Sequence, residues 1–219
     1  MSSPVSTHSP IKSRRSKRTR RRGQLVLCCI GTVILLGCQS NCPKVKNLGP
    51  PSASEYLLPY PVGDSSVIFQ SYCVSSGHLN RLAYDFRMAM GATITASRSG
   101  RVVEVINSYQ DDDHTPGHNN RVLIRHSDQS VAWYAHLQEG SVLVSRGDSV
   151  TATQPMGSCG TSGRSGNIPH LHFEVFETSP YQYSDAIPIN FRNVSGQTDS
   201  LGVLLTGQTY VALSDPQLQ

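Results

Sequence analysis

Alternating apolar and polar positions, interrupted by turn residues, extend through most of the chain after residue 60. The clearest runs are ATITASRSGRVVEVINSY, NRVLIRHSDQSVAWYAHL, GSVLVSRGDSVTAT and PHLHFEVFE. Side chains alternate between the two faces of a strand, so this period of two predicts β-strands with one buried face. Turns are expected at Gly100, at 127–129 and at Gly147-Asp148, and no capped helical period lies between them. We therefore predict a mainly β domain with an antiparallel sheet.

The N-terminal region has the pattern of a secretory signal. A basic run at 12–22 precedes the apolar stretch QLVLCCIGTVILL at 24–36, whose 13 residues fall short of the roughly 20 that a membrane-spanning helix needs. An uncleaved anchor is the alternative. The sequence LLGC at 35–38 resembles a bacterial lipobox, in which the cysteine is acylated and begins the mature chain. We predict a lipoprotein signal peptide at 1–37 and lipidation of Cys38.

Composition divides the remainder into three parts. Residues 38–59 are rich in Pro, Ser and Asn without periodicity, which predicts a flexible tether. The folded domain is expected at 60–195. Residues 196–219 form a C-terminal tail in which GVLLTGQTYVAL is a candidate final strand.

The positive net charge of the chain comes from its N-terminal region. Eight of the 19 Lys and Arg residues precede residue 38, where no acidic residue occurs, so 11 remain against 15 Asp and Glu. A nucleic-acid-binding domain carries its basic excess on the folded part, so nucleic acid is excluded as the expected partner.

Three cysteines, Cys42, Cys73 and Cys159, remain after the predicted lipidation site. Export places them where disulfides persist, and an odd number leaves at least one unpaired within the chain. We predict a Cys73–Cys159 disulfide, with three unpaired thiols as the alternative.

The segment QDDDHTPGHN at 110–119 combines three carboxylates with two histidines. It lacks the hydrophobic support that fixes ligand geometry, so we predict an exposed solvated loop and not a metal site.

Two histidines lie two positions apart in a strand-like run. His170 and His172 therefore point to one face and enter one pocket, while Leu171 and Phe173 point to the core. A pair of imidazoles on one face is a common arrangement of metal ligands.

Further metal-binding groups lie elsewhere in the sequence. His136 ends the run VAWYAH and is expected to share a face with Ala132 and Tyr134, whereas His78 and Asp85 flank the segment HLNRLAYD. A surface or hydrogen-bonded role is the alternative for each histidine taken singly. Zinc takes imidazole and carboxylate ligands and keeps an open position in catalytic sites, so the set together indicates a zinc site.

The order of these motifs resembles that of the lysostaphin-like (LytM-type) zinc metallopeptidases. Their domain carries an early His and Asp, a Tyr-Ala-His-Leu strand and a glycine-rich loop ending in Pro-His-Leu-His-Phe-Glu. The counterparts here are His78 with YDF at 84–86, YAHL at 134–137 and GSCGTSGRSGNIPHLHFEV at 157–175. The likeness extends from about residue 60 to 191 and implies an antiparallel β-sheet or sandwich of the duplicated hybrid motif type.

The resemblance also implies roles for individual residues. The implied zinc ligands are His78, Asp85 and His172. His136 and His170 stand beside the open position, one as general base toward a zinc-activated water and the other as hydrogen-bond donor to the oxyanion, in either assignment.

Three details qualify the likeness. Six residues separate His78 from Asp85 where many members have three, although a related branch has a similarly long spacing. Cys159 stands where the loop more usually has Ser, and we expect a structural thiol there. Glu174 is a candidate acceptor for the second ring nitrogen of His172, with solvent exposure as the alternative.

The resemblance implies an endopeptidase that hydrolyses peptide cross-links of bacterial peptidoglycan. We expect it in the cell envelope, anchored by its lipid at the periplasmic face of the outer membrane, because Gln39 lacks the acidity that favours inner-membrane retention. The alternative is a non-catalytic lipoprotein that binds and activates a cell-wall amidase, with a cell-division or cell-wall partner. Retention of all five site positions favours the enzyme over this partner. A third hypothesis is a metal-binding lipoprotein without a hydrolytic role, which would not need His136 or His170.

Overall fold

The computed structural model describes residues 45–46, 48–74, 77–181 and 185–218, all within the compact unit Cys38–Gln219. Short 3-10 turns occupy Pro51–Ala53 and Pro216–Leu218, and the described ranges contain no α-helix. The strands are β1 (Ser65–Gln70), β2 (Ala83–Arg87), β3 (Thr93–Thr95), β4 (Gly100–Ile106), β5 (Asn120–Arg125), β6 (Val131–Leu137), β7 (Ser149–Val150), β8 (Pro155–Ser158), β9 (His170–Phe176) and β10 (Thr209–Val211).

Eight strands form one antiparallel sheet in the order β10-β1-β2-β9-β6-β5-β4-β7, and β3 pairs with β8 in a separate two-stranded ribbon. The predicted mainly β, antiparallel architecture is therefore confirmed. Strand β9 lies between β2 and β6 near the middle of the large sheet. All seven of its residues are buried, so both faces of this strand are covered by other parts of the domain.

One face of the large sheet packs on the hydrophobic core. Leu171 and Phe173 of β9 point into it, as the alternation predicts, and neither is exposed to solvent. The ring of Phe173 lies 5.0 Å from that of Tyr134 and 5.9 Å from that of Phe191, measured between centroids. Burying such a side chain contributes roughly 1.5–3 kcal/mol. This packing holds β9 in register and so fixes the opposite face, where the histidines lie.

The folded domain extends beyond both predicted boundaries. Tyr56, Leu57 and Leu58 are buried in the domain, and the backbone N–H of Leu48 donates to the carbonyl of Leu201 at 3.1 Å. The described residues between 45 and 59 therefore belong to the domain, and the prediction of a flexible tether does not hold for them. The polar composition of 38–59 gave no indication that the short apolar segment at 56–58 packs into the domain. The predicted final strand is present as β10, which pairs with β1.

The predicted Cys73–Cys159 disulfide is wrong. Cys73 is disulfide-bonded, but Cys159 is a free thiol buried in the core. Burial raises the pKa of the Cys159 thiol to about 12, so the group stays protonated and acts as a small packing residue, as expected from its position in the loop. Spacing along the chain does not report the separation of two cysteines in the fold.

The predicted signal peptide at 1–37, the lipidation site Cys38 and Cys42 lie outside the described residues. Within the residues that are described, no helix combines the length and the apolar character needed to cross a bilayer. The anchoring of the chain therefore stays a prediction from the sequence.

Candidate metal centre and groove

Three side chains that could hold a metal ion converge on the sheet face opposite the core. Ligand atoms of His78, Asp85 and His172 lie within 4.8 Å of one another, and all three residues are buried. Asp85 on β2 is paired directly with His172 on β9, so the strand register brings these two together. His78 reaches them from the loop before β2 despite its long spacing from Asp85, with its Nε2 3.1 Å from Asp85 Oδ2.

The hydrogen bonds of this cluster leave the Nε2 lone pair of His78 without a donor among the described residues. His78 Nδ1 donates to the carbonyl of Ser71 at 3.0 Å; a carbonyl only accepts, so His78 Nε2 carries the lone pair. That buried Nε2 makes no hydrogen bond with any described group: it lies 3.1 Å from Asp85 Oδ2, and both atoms are acceptors. An unsatisfied buried polar atom is costly, and a cation removes the cost. Two imidazoles and a carboxylate fit zinc.

The ionisation states of Asp85 and His172 also bear on metal binding. Burial raises the pKa of Asp85, but the neighbouring His172 and His78 side chains outweigh burial and hold this pKa below its ordinary value. Asp85 is therefore ionised. Burial lowers the pKa of His172, but Asp85 and Glu174 outweigh it and raise this pKa above its ordinary value. A metal ion here competes with a proton for His172, so its binding weakens as the pH falls.

Two further imidazoles adjoin the three-residue cluster. The rings of His136 and His170 lie 4.7 Å apart between centroids. His136 Nδ1 donates to the carbonyl of Ser162 and His170 Nδ1 to that of Ile168, both at 2.7 Å. Each ring thus keeps a lone pair on Nε2. Burial is the main cause that lowers the pKa of both, to about 3 for His136, so both are neutral near pH 7 and able to accept a proton.

His136 reaches the groove through a β-bulge. Asn120 pairs with Leu137 and Arg121 with Ala135, which leaves His136 as the extra residue of β6. Its φ is 63°, a strained value for a residue with a Cβ. The expectation that His136 shares a face with Ala132 and Tyr134 is therefore wrong: those two lie in the core, and the bulge turns His136 to the opposite face.

An ion pair between Glu174 and Arg81 adjoins His172. Glu174 is 1% exposed, so the alternative of solvent exposure is wrong. Its Oε2 lies 3.5 Å from His172 Nε2 and pairs with Arg81. Burial raises the pKa of Glu174, but His172 and Arg81 lower it below its ordinary value. The resulting carboxylate orients the ring so that Nδ1 faces Asp85, at 2.8 Å.

Arg81 is a site residue that the sequence analysis missed. Its Nη2 lies 3.2 Å from His172 Nε2, and its side chain also lines the groove. An arginine in a short segment between two motifs has no pattern that distinguishes it from a solvated surface residue. Only the pairing of β2 with β9 brings it to Glu174.

The acidic insertion at 110–119 packs against the glycine-rich loop. Asp111 Oδ1 accepts the backbone N–H of Thr161 at 3.0 Å, and the Asp111 carbonyl accepts the Thr161 hydroxyl at 2.8 Å. The carbonyl of Asp113 accepts the N–H of Gly163 at 2.7 Å. These contacts, which we call the brace, attach the insertion to the glycine-rich loop. The prediction of a solvated loop holds only for the exposed tip of the insertion. Within the described residues it forms no metal cluster.

The brace continues to His136 through Ser162. The Ser162 hydroxyl donates to the carbonyl of Leu137 at 2.8 Å and accepts the N–H of Asn120 at 3.0 Å. The Ser162 carbonyl is the acceptor for His136 Nδ1. The loop conformation therefore determines which nitrogen of His136 faces the groove.

We expect Asp111→Ala to weaken this brace. The change removes the acceptors for the N–H groups of Thr161 and Glu139, which should lower the free energy of unfolding by about 1–3 kcal/mol. Asp112→Ala is the matched control, because Asp112 is exposed and makes no hydrogen bond within the described residues. Urea unfolding of the two variants measures the difference; equal midpoints would contradict the brace.

The five residues of the site line a groove of about 740 Å³. Its floor is the outer face of β2, β9, β6 and β5, and the glycine-rich loop forms part of its wall. A second cavity of about 330 Å³ lies beside Val45 and Leu201 and contains none of these residues. A groove in which neutral imidazoles adjoin a candidate metal-binding cluster has the groups that hydrolytic chemistry requires.

The fold and site combine an antiparallel β-sheet with a candidate metal-binding cluster in a groove. Residues 80–185 match peptidase family M23, in agreement with the motif order that resembles the lysostaphin-like metallopeptidases. Asp85, His136, His170 and His172 fall inside the matched range, and His78 lies just before it.

Curated relatives share part of this chain. It is 29% identical over 133 residues to "Outer membrane antigenic lipoprotein B" of Haemophilus influenzae, covering 61% of this chain and 29% of that protein. It is 34% identical over 91 residues to "Peptidoglycan DD-endopeptidase ShyA" of Vibrio cholerae, covering 42% of this chain and 19% of that protein. The chain thus spans less than a third of the length of these two relatives.

Solved structures with a similar fold include two peptidase domains. The catalytic domain of lysostaphin from Staphylococcus simulans is 27% identical, with a TM-score of 0.44 over 57% of this chain and 87% of that one. A mutant catalytic domain of the prophage-encoded M23 protein EnpA from Enterococcus faecalis is 25% identical. Its TM-score is 0.47 over 59% of this chain and 93% of that one.

Proposed function

We propose that this protein is a zinc-dependent endopeptidase that hydrolyses peptide cross-links of bacterial peptidoglycan. One observation carries the proposal: the buried triangle of His78, Asp85 and His172 adjoins two neutral imidazoles in an open groove. A purely structural zinc site is closed by a fourth protein ligand and does not need two additional imidazoles beside it. The family match and the similarity to a peptidoglycan endopeptidase support the substrate.

In the proposed hydrolysis, three side chains bind the metal and two imidazoles transfer protons. His78, Asp85 and His172 would hold a zinc ion, which would supply a Lewis acid for the scissile carbonyl and would lower the pKa of water. His136 and His170 each present an unprotonated Nε2, because their Nδ1 protons are held by backbone carbonyls. One Nε2 accepts the proton of the attacking water and returns it to the leaving amine. An imidazole so protonated also donates a hydrogen bond to the oxyanion.

The proposal includes a lipid anchor. The LLGC sequence at 35–38 and the similarity to outer membrane lipoproteins support acylation of Cys38 and attachment at the periplasmic face of the outer membrane. A hydrolase held there reaches the wall from the membrane surface.

Cross-linked muropeptides test the proposal. The purified full-length chain is stripped with a chelator, and half of it is reloaded with zinc. Mass spectrometry of the products should show un-cross-linked stem peptides only with the reloaded protein, and their masses identify the bond that is cut. Intact cross-links after incubation with zinc-loaded protein would rule out the endopeptidase.

A second candidate is favoured by the lipoprotein relatives, whose names describe no peptidase. In this candidate the protein is a non-catalytic envelope lipoprotein that binds and activates a cell-wall amidase. The same digestion with added amidase separates the two candidates. Activation increases release of whole stem peptides from the glycan and leaves the cross-links intact, whereas the endopeptidase cuts cross-links without the amidase.

A further inference from the structure

The groove is basic although the domain is acidic. After residue 38 the chain has 11 basic and 15 acidic residues. Among the described residues, Arg81, Arg121 and Arg164 line the groove, and Asp85 is the only carboxylate that does so. Beside the candidate metal cluster the described lining therefore contains guanidinium groups and no carboxylate, although Arg81 and Arg121 are paired with Glu174 and Glu104, which lie outside the lining. Such segregation favours an anionic ligand.

Two of these arginines lie on the same wall, on the β5 side of the groove. Arg121 Nη1 donates to Asn119 Oδ1 at 3.3 Å. Asn119 in turn packs on the backbone of Gly163, where an added Cβ would lie 2.9 Å from the Asn119 Cβ. Arg164 follows Gly163 directly. Asn119 therefore contacts both the Arg121 side chain and the residue that precedes Arg164.

The two guanidinium groups differ in how they are held. Arg121 Nε donates to Glu104 Oε1 at 2.7 Å, and its guanidinium carbon lies 5.6 Å from the centroid of Trp133, so this group is fixed in place. Glu104 is not among the groove-lining residues. Arg164 is exposed and makes no hydrogen bond or ion pair within the described ranges. It is a charged donor at the rim that remains available to a ligand.

We propose that this wall is a carboxylate-binding subsite, so that the preferred substrate is a peptide with a free carboxylate close to the bond that is cut. Arginine suits this role because its planar donors match the two oxygens of a carboxylate. Arg164 binds the carboxylate, and Arg121 contributes a fixed positive charge beside it. The inference rests on the proposed function, because it assumes that the groove receives the peptide.

Equilibrium binding of un-cross-linked stem peptides tests the subsite without requiring cleavage. Isothermal calorimetry compares a peptidoglycan-derived stem peptide with the same peptide after amidation of its carboxyl groups, using the full-length chain. We expect the acidic peptide to bind roughly tenfold more tightly, as for loss of one charge-assisted contact. Arg164→Gln should remove this preference. Arg146→Gln is the matched control, because Arg146 is an exposed arginine outside the groove.

The outcomes separate this inference from the proposed function. Equal affinity for the two peptides, or an Arg164→Gln variant that keeps the wild-type preference, would overturn the subsite. A protein that shows the Arg164-dependent preference but cuts no cross-link supports the subsite while refuting the endopeptidase. A protein that cuts cross-links without preferring the acidic peptide refutes the subsite alone.

Discussion

Replacing His172 by Ala should remove zinc from the protein, whereas replacing His136 by Ala should leave zinc bound and remove turnover. His172 supplies one of three converging ligand groups. A catalytic zinc site depends on three protein ligands, so the two that remain should hold the ion too weakly to keep it bound. His136 has no place in that triangle, but its unprotonated Nε2 faces the groove. Loss of a general acid–base group lowers kcat about 10²–10⁴-fold. Metal analysis and cross-link cleavage by the same preparations measure both effects.

His126→Asn is the control for loss of a buried imidazole. His126 is also buried, and its Nδ1 bonds to the carbonyl of Ser99 at 2.9 Å, outside the groove. An asparagine there can still donate to that carbonyl, so zinc and turnover should both persist. If His136→Ala retained full activity, the mechanistic assignment would be wrong. If His172→Ala kept its zinc, the ligand set would be wrong.

Glu174→Gln should weaken zinc binding roughly 10–100-fold, the range expected when the partner of a metal-ligating histidine is changed. The substitution removes the charge that holds His172 with Nδ1 toward Asp85 and leaves Arg81 without its carboxylate. Because a quarter of the Arg81 side chain is exposed, water relieves part of the resulting cost. Competition with a chromophoric chelator measures the Kd for zinc.

Glu177→Gln is the matched control for this variant. Glu177 follows the same strand but is exposed, so its substitution should leave the Kd unchanged. Urea midpoints of both variants report whether the domain remains folded. Equal zinc Kd values for Glu174→Gln and Glu177→Gln would show that the ion pair with Arg81 does not orient His172.

The central strand and the identity of the clustered residues follow from local sequence. The run HLHFEVF alternates cleanly, so His170 and His172 share the face opposite Leu171 and Phe173. The resemblance in motif order also pointed to residues that the fold brings together from far apart, such as Asp85 and His172, 87 positions apart in the chain.

What the sequence did not disclose depends on long-range register and irregular backbone. Alternation assigns His136 to the core, and only the bulge opposite Asn120 and Arg121 reverses its face. The pairing of Arg81 with Glu174 requires β2 to lie beside β9 in one particular register. The acidic insertion looked solvated because its partners are backbone groups of a distant loop. Local patterns carry no information about such contacts.

Zinc stoichiometry tests the central claim most directly. The full-length chain, purified without chelators, is analysed by mass spectrometry for metal content against protein concentration. The ligand set of His78, Asp85 and His172 predicts about one zinc per chain. A protein that is folded but contains no zinc, and takes up none when it is supplied, would contradict the account of this site.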